Sequence, residues 1–133
     1  MANCTIGQGA MNGSTAEGAQ GICATGWHIP SDGDWKTLEG ELGMSTADQD
    51  NPGFRGTDQG TQLKIGGDSG FEARLAGVRA TGGSVDRDST ANLWSSTEVG
   101  ASAWGRFLFS GSARVSRDSF SKSFGFSVWC LKD

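Results

Sequence analysis

The sequence predicts a small α+β domain, and three observations carry that reading. One stretch, Ser31 to Gly43, has helical spacing with both ends marked. The last third of the chain is a series of short segments with strand character. Glycine is heavy, at 22 of 133 residues, which calls for turns and long irregular loops. One or two helices followed by short antiparallel strands is the α+β pattern. The length fits one domain, 1–133, and suffices for a real core.

The elements follow in order. Residues 1–20 are rich in Gly, Ala and Ser and read as a lead-in segment, and Ile22 is a candidate start of a short strand. Ser31 is a good N-cap, and Asp34, three residues on, can close a capping box. Trp35, Leu38 and Leu42 then share one face and Gly43 is the stop, so the helix is expected over Asp32 to Leu42. Residues 44–60 read as loop, with Pro52-Gly53 a turn. "TQLKI", from Thr61, suits a short helix or turn, and residues 70–86 hold short strand candidates broken by Gly. "NLWSST", "AWGRFLF", "ARVSR" and "FSVWCLK" are the strand candidates of the last third.

Alternation then sorts the faces of those strands. Trp104, Leu108, Val115, Phe126, Val128 and Cys130 form the expected buried side, with Arg106 and Arg117 at the same parity. The expected outward side holds Gly105, Phe107, Phe109, Arg114, Ser116 and Trp129. Rings and an Arg among Ser and Gly have the makeup of a binding surface.

Composition excludes several classes. A net charge of −4 and a pI near 4.9 offer no basic stripe for nucleic acid. No apolar run approaches the roughly 20 residues of a membrane helix, so no membrane insertion is expected. The opening "MANCTIGQGAMNG" lacks a charged-then-apolar signal pattern. Cys23 and Cys130, if paired, would close a loop of roughly 100 residues, worth about 4–5 kcal/mol, and would imply an oxidising compartment. The alternative is two buried thiols. Cys4 is then odd. His28 is the single His, so a His-pair metal site is excluded, and its place beside the helix start suits a structural hydrogen bond. Asp86-Arg87-Asp88 reads as a solvated turn rather than a calcium loop. The sequons at Asn3 and Asn12 matter only in a eukaryotic secretory route. Ser95 and Ser96 lack an accompanying base. No catalytic residues, cofactor or metal are expected.

The segments "GICATGWHIPSDGDWKTLEGELG", "GTQLK", "GFEARLAGVRATGG", "LWSSTE", "AWGRFL" and "KSFGFSVWCLKD" resemble the FISUMP-type major paralogous domain over about Gly21 to Asp133. That family is similar to the C-type lectin fold group that includes formylglycine-generating-type domains. The resemblance implies a C-type-lectin-like fold, a small twisted antiparallel sheet carrying long loops. The calcium signatures of sugar-binding animal C-type lectins are absent.

The ending also resembles the variable proteins of diversity-generating retroelements, in which a reverse transcriptase miscopies template adenines. This implies a variable region at about 94–133. Trp104, Arg106, Leu108, Val115, Arg117, Lys122, Gly125, Phe126, Ser127, Val128 and Cys130 look fixed. The positions between them are the candidate ligand-binding residues. They are Val99, Gly100, Ser102, Gly105, Phe107 and Phe109, then Ser110, Gly111, Arg114, Ser116 and Asp118. Ser119, Phe120, Ser121, Ser123, Phe124 and Trp129 complete the set. Up to Phe124 these carry only residues that pyrimidine-ending codons can encode. Trp129 stands where such proteins usually have Arg, one adenine change away.

The resemblance implies a recognition domain, monomeric within a larger surface protein, outside the cell or on a virion. Its partner would be a protein or glycan receptor. The competing implication is an undiversified, adhesin-type surface domain. An oxidase like the formylglycine-generating enzymes needs reactive cysteines, and only Cys4 remains once the other two are bridged.

Overall fold

The first helix is written locally and forms as the capping rules require. In the computed structural model, which describes residues 20–133, Ser31 Oγ accepts from the Asp34 amide and Asp34 Oδ2 accepts from the Ser31 amide at 2.8 Å. This capping box opens α1 (Asp32–Glu41). Gly43, at φ 92°, ends it, with its amide on Gly40 O and the Met44 amide on Glu39 O. Residues 1–19 of the lead-in segment, with Cys4 and both sequons, lie outside the described residues.

In chain order β1 (Trp27–His28) precedes α1. There follow α2 (Thr46–Gln49), β2 (Gly53–Arg55), α3 (Gln59–Leu63), β3 (Val78–Ala80) and β4 (Gly83–Val85). The last third gives β5 (Thr90–Val99), β6 (Ser102–Phe109), β7 (Val115–Ser121) and β8 (Leu131–Lys132). The main sheet is antiparallel in the order β2-β7-β6-β5, while β1-β8 and β3-β4 form small two-stranded sheets. The domain is α+β, with antiparallel sheets and few short helices. The stretch 44–60, expected as loop, instead contributes α2, the edge strand β2 and the start of α3. β2 spans only three residues, too short for a period-2 pattern to register.

The sheet is covered on both faces. On one, Ala91, Leu93, Leu108 and Val115 meet Trp35 of α1, Met44, Leu63 and Ala73. On the other, Trp94, Ala103 and Phe107 meet Phe126. The expected single buried side is therefore corrected, and the cause is the final segment. Phe126 to Cys130 is not a strand of the main sheet. It crosses beside β5, with the Trp94 amide on Ser127 O and the Ser127 amide on Asn92 O, and only Leu131–Lys132 pair as β8. That crossing lays Phe126 over Trp94, ring centroids 4.3 Å apart. Together with the bridge from Gly77 to Ala91 it also covers the outer edge of β5, which would otherwise offer open backbone groups.

Cys23 and Cys130 are bonded, Cα atoms 5.8 Å apart. The bridge spans 107 positions, and chain entropy puts such a closure at about 4–5 kcal/mol. Beside it, β1 pairs β8, and His28 Nδ1 lies 2.6 Å from Asp133 Oδ1, the structural hydrogen bond expected of the single histidine.

Candidate functional site

The β6–β7 hairpin decides where the proposed variable positions go. Its register sets Ser102 opposite Ser121, Ala103 opposite Phe120, Trp104 opposite Ser119, and Phe107 opposite Ser116. At the end beside the β5–β6 turn, Val99, Gly100, Ser119, Phe120, Ser121 and Ser123 are exposed. Ser102 and Phe124 are half-buried there. Phe120 is 39% exposed and rests on rings below it, with Phe107 at 4.9 Å and Phe126 at 5.8 Å. This is a ring on a rigid aromatic floor, while alternation turns its strand neighbours Ser119 and Ser121 to the opposite face, beside Trp104 and Ser102. At the end of β7 the Ser121 and Ser123 hydroxyls lie 2.9 Å apart.

A second group lies at the other end of the hairpin. Phe109 is half-buried, while Ser110, Gly111 and Arg114 are exposed. Phe54, from the unexpected strand β2, is 46% exposed and packs on Phe109 at 5.1 Å, with the Arg114 guanidinium 5.4 Å above it. The length of β7 separates the two groups, about 20 Å at strand rise. Asp118 lies between them, half-buried, and accepts from Ser116 Oγ at 2.6 Å.

Besides Asp118, four proposed positions do not join either group. Phe107 is only 4% exposed, because Phe120 and Phe126 cover it. Ser116, opposite it, is also buried. Gly105 is buried, and a Cβ there would meet Phe107 Cζ at 3.0 Å and Leu93 O at 3.1 Å. Alternation puts these three together on the face opposite Leu108, but that face is not outward as expected, because the crossing segment covers it. Trp129 is exposed but elsewhere. It stacks on Phe71 at 4.7 Å and lines a cleft with Trp27 and Trp35.

Among the fixed-looking positions, Arg106, Leu108, Val115, Arg117 and Phe126 are buried. Trp104 is only half-buried, against expectation, and carries the Arg117 guanidinium 3.7 Å from its ring. Arg106 and Arg117 hold Asp32 and Glu39 of α1 in a buried ionic cluster that Arg55 joins. Burial would raise the Asp32 carboxyl, but hydrogen bonds from Arg117 and the charge of Arg106 reverse that and hold it well below the usual carboxylate range. Burial pushes Arg55 down from its ordinary value, against the pull of Glu39.

The cluster braces α1 against β6, β7 and β2, and Asp32, Glu39, Arg55, Arg106 and Arg117 are all buried. Among the described residues, no group of three or more His, Cys, Asp or Glu could hold a metal ion. Asp86 and Asp88 are exposed, both at positive φ, in the turn before β5. Trp94 Nε1 and Ser96 Oγ are buried polar atoms without a hydrogen-bond partner.

Comparison with known proteins yields a family rather than a relative. No curated protein matches the chain. No solved structure matches it either. The sequence model of the Fibrobacter succinogenes major domain matches residues 10–132, nearly the full length, and the chain belongs to that family.

Proposed function

We propose that this domain is a recognition module that grips a protein or glycan receptor with the end of the β6–β7 hairpin beside the β5–β6 turn. The observation that carries the reading is Phe120. A large ring left 39% exposed and seated on buried rings has the makeup of an anchor, and the exposed Ser119, Ser121 and Ser123 precede and follow it along the chain at the same end of the hairpin. Val99, Gly100, Ser102 and Phe124 extend that surface. The Phe54–Phe109–Arg114 group is a second contact zone at the far end. The disulfide favours an oxidising setting, in keeping with a cell-surface, virion-surface or extracellular domain of a larger protein. In this reading the domain has a C-type-lectin-like fold and works without catalysis, cofactor or metal.

Diversification by a retroelement is the finer part of the proposal. It predicts a near-copy of the codons for residues 94–133, differing only at adenines, beside a reverse-transcriptase gene. Intact paralogues without such a repeat would instead select an undiversified, adhesin-type domain. The burial of Gly105, Phe107 and Ser116 favours that second reading, because random replacement there would strike the core. The binding surface itself is tested by receptor capture from a cell-surface preparation. Phe120→Ser should abolish capture while the protein stays folded; undiminished capture would place the contact elsewhere.

A further inference from the structure

The cleft beside the disulfide lies apart from the hairpin surface and has a different character. Its volume is about 340 Å³, and Trp27, Trp35, Phe71, Trp129, Asp34 and Lys132 are among its lining residues. Trp27 and Trp129 are 41% and 40% exposed. Trp129 lies over Phe71 at 4.7 Å with planes 28° apart, and Phe71 meets the buried Trp35 edge-on at 5.7 Å. A column of rings rooted in the core thus presents one indole to solvent. Trp27 is fixed by its pairing opposite Lys132, and Trp129 by its neighbour Cys130 in the disulfide. The capping box holds Asp34. The cleft is therefore preformed, which lowers the ordering cost of binding.

We propose that this cleft is a binding site for a neutral sugar ring, specifically a β-pyranose whose hydroxyls are equatorial. Two exposed indoles offer flat apolar faces of the kind that stack against the C–H face of such a ring. The two charged side chains are of opposite sign. Their charges cancel, so neither a cation nor an anion gains a net attraction, whereas a polyol can donate to the carboxylate and accept from the ammonium. The sparse polar lining decides the stereochemistry. An axial hydroxyl pressed onto an indole would be desolvated with no partner, while equatorial hydroxyls point to the rim and solvent. The volume accommodates one or two rings. The site does not rest on the Phe120 surface and shares no residue with it.

Cellobiose, an all-equatorial β-linked disaccharide, is the probe, titrated into the full chain and followed by tryptophan fluorescence and indole N–H resonances. The expected result is saturable binding with Kd on the order of millimolar. Trp129→Ala and Trp27→Ala should each weaken it roughly tenfold or more, while Phe120→Ser should leave it unchanged. Should either tryptophan variant fail to fold, Lys132→Ala removes an exposed ammonium and should weaken binding roughly threefold. Methyl α-mannopyranoside, with its axial hydroxyl, should bind several-fold more weakly. No saturable response to cellobiose would overturn the proposal. So would equal affinity for the mannoside, loss of binding in Phe120→Ser, or a response only to a proline-rich peptide, which would make the cleft a peptide groove.

Discussion

Arg106 of β6 donates from Nε to Glu39 Oε1 of α1 at 2.7 Å, and neither side chain reaches solvent. Arg55 binds the other oxygen of Glu39, while Arg106 and Arg117 both reach Asp32. One helix is thereby tied to three strands of the sheet by charge. Glu39→Ala would leave the buried Arg55 without a carboxylate and Arg106 with Asp32 alone, and breaking a buried pair in this way costs about 3–5 kcal/mol. Urea unfolding measures it. A loss under about 1 kcal/mol would mean that water reaches the cluster.

That cluster marks the boundary of what could be read from residues alone. The parity of Arg106 and Arg117 put both on the buried side, but their partners lie 67 and 85 positions away, a pairing no local pattern carries. The helix was legible because its caps, Ser31 with Asp34 and Gly43, act within a few residues. Phe107 was misplaced for the opposite reason. Its strand alternates as expected, but what covers it is Phe126, from a segment whose own alternation cannot be told from that of a paired strand. Of the recognition surface, Phe120 and its serines were legible as composition, whereas Phe54 was hidden in a stretch that reads as loop.

Phe107 and Phe120 touch, yet their replacement should behave differently. Phe107→Ser removes a ring that is 4% exposed, and deletions of that kind cost about 3–5 kcal/mol. Phe120→Ser removes a ring half open to water and should cost about 1 kcal/mol, the scale of its aromatic contacts. Thermal or urea unfolding of the two variants gives the comparison. Equal losses would mean that Phe120 is a core residue and would remove the exposed anchor.

Gly105 tests whether the hairpin tolerates variation throughout its length. Its backbone is opposite Trp94, and any side chain would press on Phe107 and the Leu93 carbonyl. Gly105→Asn should therefore destabilise by about 1–3 kcal/mol through overpacking. Ser121→Asn, at an exposed position on the neighbouring strand, should change stability by about 0.5 kcal/mol or less. A neutral Gly105→Asn would show that the Phe107 ring can shift to make room, and would return this position to the changeable set.

Asp32 ties folding to pH. Desolvation works against its charge, but the hydrogen bonds of Arg117, Arg106 and Lys36 and the charge of Arg106 prevail, so its carboxyl is depressed in the folded chain. In the unfolded chain it titrates near the ordinary value of about 3.9. As pH falls through that value the unfolded state takes up the proton first, so protonation favours unfolding. The contribution of Asp32 is therefore complete above about pH 5 and drains away progressively below it, until the folded carboxyl itself protonates. Asp50, bonded to Lys36 and likewise depressed, adds in the same direction from the surface. Unfolding free energy measured from pH 6 down to pH 2 should fall more steeply for the native chain than for Asp32→Asn, which has no such proton to bind. Parallel curves would mean that Asp32 is as easily protonated folded as unfolded, and that the arginine pair does not hold its charge.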